Sequence, residues 1–164
     1  MKRSRLLLWL LPLAALLTVA FVIVNSLGCN YELRINHRNL SYYGVCRFGD
    51  VTFLESDQQT GSQWSVSAYQ ISVANQLIFL IRERRQLRDG VGNVQLLDDY
   101  NHTQRQYLLV NYAWMPVDDG RIALFQVSPH HDVWVGKRDG PIDLMDALFP
   151  RRPPDWQPER TPAQ

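Results

Sequence analysis

The sequence predicts an α+β protein in which an N-terminal transmembrane helix is followed by a small, mainly antiparallel β domain with one longer and one short helix. Three observations carry that prediction. An unbroken apolar run begins at Leu6 and ends at Val24. Short segments of alternating polarity, bounded by turn residues, recur between Tyr31 and Lys137. Among them, Ile71, Ala74, Leu77, Ile78 and Ile81 recur at helical spacing.

The apolar run holds about 19 uncharged residues, enough to cross roughly 30 Å of hydrocarbon at 1.5 Å per residue. Lys2, Arg3 and Arg5 precede it. Basic residues on that flank predict an amino end held in the cytoplasm and a chain exported beyond the run. A cleaved signal peptide has a shorter apolar core, about 7–15 residues, and an A-x-A-like site. No such site follows Val24. The organisation therefore reads as a cytoplasmic flank (1–5), a signal anchor (6–24), an exported domain (25–149) and a proline-rich tail without a core of its own (150–164).

Ser26-Leu27-Gly28-Cys29 resembles the lipobox of bacterial lipoproteins, which implies acylation of Cys29. The resemblance covers four residues, and Ser26 stands where that motif usually has Leu. The competing reading is a disulfide. Cys29 and Cys46 form an even pair on the exported side, and closing a loop of about 17 residues contributes on the order of 3 kcal/mol.

Composition fits one small folded domain behind the anchor, with 46% hydrophobic and 20% charged residues. The net charge is +1, and setting aside Lys2, Arg3 and Arg5 leaves 14 basic against 16 acidic residues. That balance gives no general attraction to nucleic acid.

Element by element, Tyr31 to Asn36 alternates strictly and reads as a strand with Leu33 and Ile35 inward. Tyr42 to Phe48 and Val51 to Leu54 read as two more strands joined at Gly49-Asp50. The polar segment from Glu55 to Ser62 reads as a loop. The longer helix is placed between Trp64 and Arg88, with Ser67 and Gln70 as a capping-box pair and Asp89-Gly90 as its stop. Val94 to Leu97 reads as a short strand and Asp98 to His102 as a loop. A hairpin follows, Tyr107 to Met115 and Arg121 to Val127 around Pro116-Val117-Asp118-Asp119-Gly120. Val133 to Lys137 is a further strand, and Asp139-Gly140-Pro141 introduces a short helix reaching Phe149.

The chemistry in the sequence is sparse. His102, His130, His131 and nearby Asp residues are metal-ligand and acid–base types, but adjacent His130 and His131 on an extended chain point to opposite faces. Neither a phosphate cradle nor an H-E-x-x-H or G-x-S-x-G motif is present. No catalytic, cofactor or metal residues are therefore assigned. The candidate partner contacts are the cluster Arg82, Arg84, Arg85 and Arg88, paired on a helix so as to grip carboxylate or phosphate, and Trp156 in the tail. The sequence-level expectation is a non-catalytic inner-membrane protein whose periplasmic domain binds another envelope protein as an accessory, assembly or inhibitory subunit. A small His/Asp hydrolase and a lipoprotein are the alternatives.

Overall fold

The computed structural model describes residues 2–92, 96–126 and 132–153, without the side chains of residues 2–9 and 132. Among the described residues the part that follows the N-terminal helix is a closed barrel of eight strands in sequential order. This corrects the α+β expectation. The strands are β1 (Asn30–His37), β2 (Leu40–Arg47), β3 (Asp50–Asp57), β4 (Gln63–Val73), β5 (Gln76–Arg88), β6 (Leu109–Asp118), β7 (Arg121–Gln126) and β8 (Asp132–Asp139). Every neighbouring pair is antiparallel, and β8 returns to β1 with Ile35 opposite Gly136 and Glu32 opposite Asp139, so no edge is left open.

The helix expected between Trp64 and Arg88 is the β4–β5 hairpin, turning at Ala74 with φ 52°. Trp64, Val66, Ala68, Gln70 and Ser72 alternate into the barrel. Polar Gln70 and Ser72 face inward, while apolar Ile71, Ile78 and Leu80 occupy the other face. Apolar residues on both faces reproduce a helical period, and two buried polar residues hide the true period of two. A shift between Ser67 and Ala68 adds to the disguise.

The helix that does exist in this region is α2 (Leu96–Gln104), where a strand and a loop were expected. Its buried residues Leu97, Asp98, Asn101 and Gln104 have helical spacing, but three of them are polar, so no apolar stripe advertises it. The polar segment after Leu54 is also partly strand. β3 runs on to Asp57, and Glu55 and Asp57 continue the inward series Val51, Phe53. The short third helix, α3 (Leu144–Leu148), is capped by Asp143, whose carboxylate accepts from the Asp146 N–H.

Helix α1 (Lys2–Leu27) contains one apolar stretch long enough to cross a membrane or to serve as a signal, 18 residues from Leu10 to Leu27. Its apolar side chains are exposed over almost all of that length, so the barrel does not use them as core. Cys29 and Cys46 form a disulfide, Cα atoms 5.8 Å apart, that joins the end of α1 to β2. Cys29 sulfur is thereby bridged and not free to carry an acyl chain. Gly28 has its own structural cause, since a Cβ there would lie 2.4 Å from the Leu144 backbone nitrogen. The pair that resembles a lipobox is thus a close-packing glycine and a bridged cysteine.

Candidate functional site

An eight-stranded barrel is just wide enough to be filled by side chains or to hold one small ligand. Here Trp64, Trp114, Leu77, Val51 and Ile142 fill it, and the remaining cavity is about 80 Å³. Pockets for drug-sized ligands measure roughly 300–1,000 Å³. The interior is therefore a packed core with room for little beyond water.

Polar groups close both ends of that core. At the end away from α1, Asn101 of α2 donates to Glu55 (2.6 Å) and accepts from Arg84 (2.8 Å). Burial raises the Glu55 carboxyl above the ordinary glutamate value, against the lowering effects of Asn101 and Arg84. Burial likewise raises Tyr100 and Tyr112, and the nearby Glu55 charge adds to the rise in both. Asp98 holds α2 down by accepting from the Ser62 hydroxyl and from the Trp64 indole. Burial opposes ionisation of Asp98, but these bonds and the Gly90 N–H outweigh it and lower its pKa.

At the α1 end, Ile142 is fully buried below Gln70, which accepts from the Tyr31 hydroxyl and donates to the Ile142 carbonyl. Asp143 accepts from Ser72 (2.5 Å) and Arg151 (3.3 Å), and Asp146 from Arg138 (2.5 Å). Arg151 also stacks on Trp114 at 4.4 Å, so the first residue of the proline-rich segment's arginine pair is part of the base.

The base also grips α1. Strand β4 overruns β3, whose last partnered residue there is Asp50 opposite Tyr69. Ser72 would present a bare backbone edge, and α1 covers it. The Ser72 N–H donates to the Ser26 hydroxyl (2.9 Å), and the Ser72 carbonyl accepts from Asn25 (3.1 Å). Asn25 Oδ1 in turn accepts from the Met145 N–H of α3 (2.9 Å). Asn25 and Ser26 are buried, so α1 and the barrel form one joint.

The outer wall carries the other candidate. Across β6, β7 and β8 the register aligns Ala113, Phe125 and Val133 in one row and Met115, Ala123 and Val135 in the next. Trp114, Ile122, Leu124 and Trp134 point the other way, into the core. These strands are thus apolar on both faces, although only one face has a core to meet. Val133 and Val135 are 57% and 46% exposed, Ala113, Met115 and Phe125 are half-buried, and Ala123 is buried. Charged residues rim the patch, with Lys137 opposite Arg121 on one side and Arg34 on the other.

The arginine cluster disperses once its segment is a strand. Arg82 lies outside, held by both Asp50 oxygens at 2.8 Å and lying over Tyr69. Arg84 turns inward to Asn101, while Arg85 and Arg88 are exposed. No shared anion grip results. His102 is exposed against the Trp64 ring, and no metal-capable cluster of His, Cys, Asp or Glu occurs among the described residues. Trp156, His130 and His131 lie outside the described residues. Sequence reasoning missed Glu55, Asn101 and the patch itself. The patch had a signal, since Leu108-Leu109-Val110 and Ala113-Trp114-Met115 are too continuous for a strand with one wet face. No known protein family matches the chain, and no curated protein matches it.

Proposed function

We propose that this is a non-catalytic, single-pass inner-membrane protein, amino end in the cytoplasm, whose periplasmic barrel binds another envelope protein through the outer wall of β6–β8. The observation that carries the reading is that wall. It sets two exposed valines in an apolar row beside charged residues, and exposed apolar surface rimmed by polar groups is the usual form of a protein interface. The filled interior favours a role for the outside of the barrel over that of a ligand carrier. That no cluster of His, Cys, Asp and Glu forms among the described residues favours binding over hydrolysis. The basic flank Lys2, Arg3 and Arg5 supports the orientation.

The test is photo-cross-linking in native membranes from residues replaced one at a time at Val133, Val135 and, on the opposite wall, Thr52. A single adduct from Val133 and Val135 that Thr52 does not give is the expected result. An adduct mass equal to two copies of this chain would replace the hetero-partner with self-association. Equal labelling from Thr52, or none from the patch, would sink the proposal.

A further inference from the structure

The joint between α1 and the barrel fixes how deep the barrel base must sit. The apolar run that ends at Val24 is about 28 Å long, matched to a hydrocarbon core of roughly 30 Å with no turn to spare. Its last residues therefore cannot be drawn out into water. Val19 lies about 8 Å inside the run's end at 1.5 Å per residue. Yet barrel residues stand beside that stretch. One groove at the helix base has Thr18, Val19 and Ile23 on one wall and Phe48, Tyr69 and Ile71 on the other. A second, across the helix, sets Phe21 and Val22 against Val73, Met145 and Phe149.

We propose that the base of the barrel is seated in the bilayer interface, with Phe48, Tyr69 and Phe149 contacting lipid on either side of α1. This rests on the reading that α1 spans the membrane. Phe48 is 81% exposed at the tip of the β2–β3 turn, and Phe149 is 66% exposed just past α3. Neither packs into the core, and both continue the apolar surface of the span, which identifies lipid as what covers them. Aromatic and large apolar side chains favour this layer. The polar groups at that level suit it as well. Arg82 is neutralised by Asp50 and laid over the Tyr69 ring at 4.5 Å, an arrangement that keeps its charge satisfied near the headgroups.

The test uses the full-length oxidised chain with one added cysteine in turn, Phe48→Cys, Phe149→Cys, Val91→Cys or Leu16→Cys. Each is labelled with a polarity-sensitive dye and reconstituted into phosphatidylcholine/phosphatidylglycerol vesicles carrying nitroxide-labelled acyl chains. Intact mass before labelling checks that the Cys29–Cys46 bridge is retained. The four positions are surface or lipid-facing, so substitution removes no core packing. Labels at 48 and 149 are expected to shift to the blue and lose emission to the nitroxide lipids as the label at 16 does, while that at 91 does neither. Labels at 48 and 149 that match 91 while 16 is quenched would overturn the seating and leave the span intact. An unquenched label at 16 would remove the span and the seating together.

Discussion

Replacing Asn25 with Ala tests whether α1 and the barrel are one rigid body. Asn25 is 4% exposed and makes two hydrogen bonds, donating to the Ser72 carbonyl and accepting from the Met145 N–H. Alanine takes that partner from both backbone groups, which line the groove between α1 and α3. Stranding a buried polar group costs about 1–3 kcal/mol, so two give a loss of about 2–4 kcal/mol once some water entry is allowed for. The assay is equilibrium urea unfolding of the full chain in micelles, followed by tryptophan emission. Asn36→Ala, at an exposed outward position on β1, serves as the control and should stay within about 0.5 kcal/mol of the parent. An Asn25→Ala variant no less stable than Asn36→Ala would refute the joint. A purified chain found to begin after Ser26 would do so as well, because the bonds of Asn25 and Ser26 would be gone.

Three further outcomes follow from the same geometry. Replacing Cys29 and Cys46 together with Ala should lower stability by about 3 kcal/mol through the entropy of the unfolded chain, and intact mass of the parent should rise by about 2 Da on reduction; no mass change would rule the bridge out. Burial raises the Glu55 pKa, so the folded barrel holds that proton more tightly than the unfolded chain. Its stabilising effect is full below the ordinary value of 4.5 and is lost as pH rises through the raised folded value, and Glu55→Gln should flatten that part of a melting-temperature profile; an unchanged slope would place the proton elsewhere. Val135→Asp, on the outer wall, should leave unfolding within about 0.5 kcal/mol of the parent yet abolish the cross-linked adduct read from position 133; an adduct that survives would move the interface off this wall.

The legible parts of the chain were those where polarity and geometry agree. The apolar run of α1 and the alternation of Tyr31 to Ile35 announce themselves, because side chains there match their surroundings, and the β6–β7 turn is expected from Pro116 to Gly120 although β6 runs on to Asp118 and only Asp119-Gly120 turns. Legibility failed where polar residues face inward. Gln70 and Ser72 in β4, and Asp98, Asn101 and Gln104 in α2, are all buried, and each spoils the period that would reveal its element. Gln70, Ser72, Asp98 and Asn101 are buried in hydrogen-bonding layers at the two ends of the barrel, satisfied by partners distant in sequence such as Asp143 and Ser62, whereas both polar atoms of the Gln104 amide are buried without a hydrogen-bond partner among the described residues. No local pattern encodes those partners. The barrel's closure was illegible for the same reason, since the pairing of β1 with β8 joins residues about a hundred positions apart.

The joint and the patch together restrict what kind of partner can bind. In the ring of eight strands β7 lies across from β3, so the apolar wall faces away from the side on which α1 enters beside β4. It is also low on the barrel. Ala113 stands about six residues above the β6–β7 turn, which at roughly 3.3 Å per residue and a strand tilt near 40° is about 15 Å above the base. If the base sits at the bilayer surface as proposed, a soluble protein would have to press against the membrane to cover Phe125 and Val135. A membrane protein, or a juxtamembrane segment of one, meets that wall without doing so. Confinement to one bilayer also raises the effective concentration of the two chains, so an interface of modest area suffices. The adduct formed from Val135 is therefore expected to stay in the membrane fraction after a high-salt wash, and an adduct released by the wash would count against the fixed height of the wall.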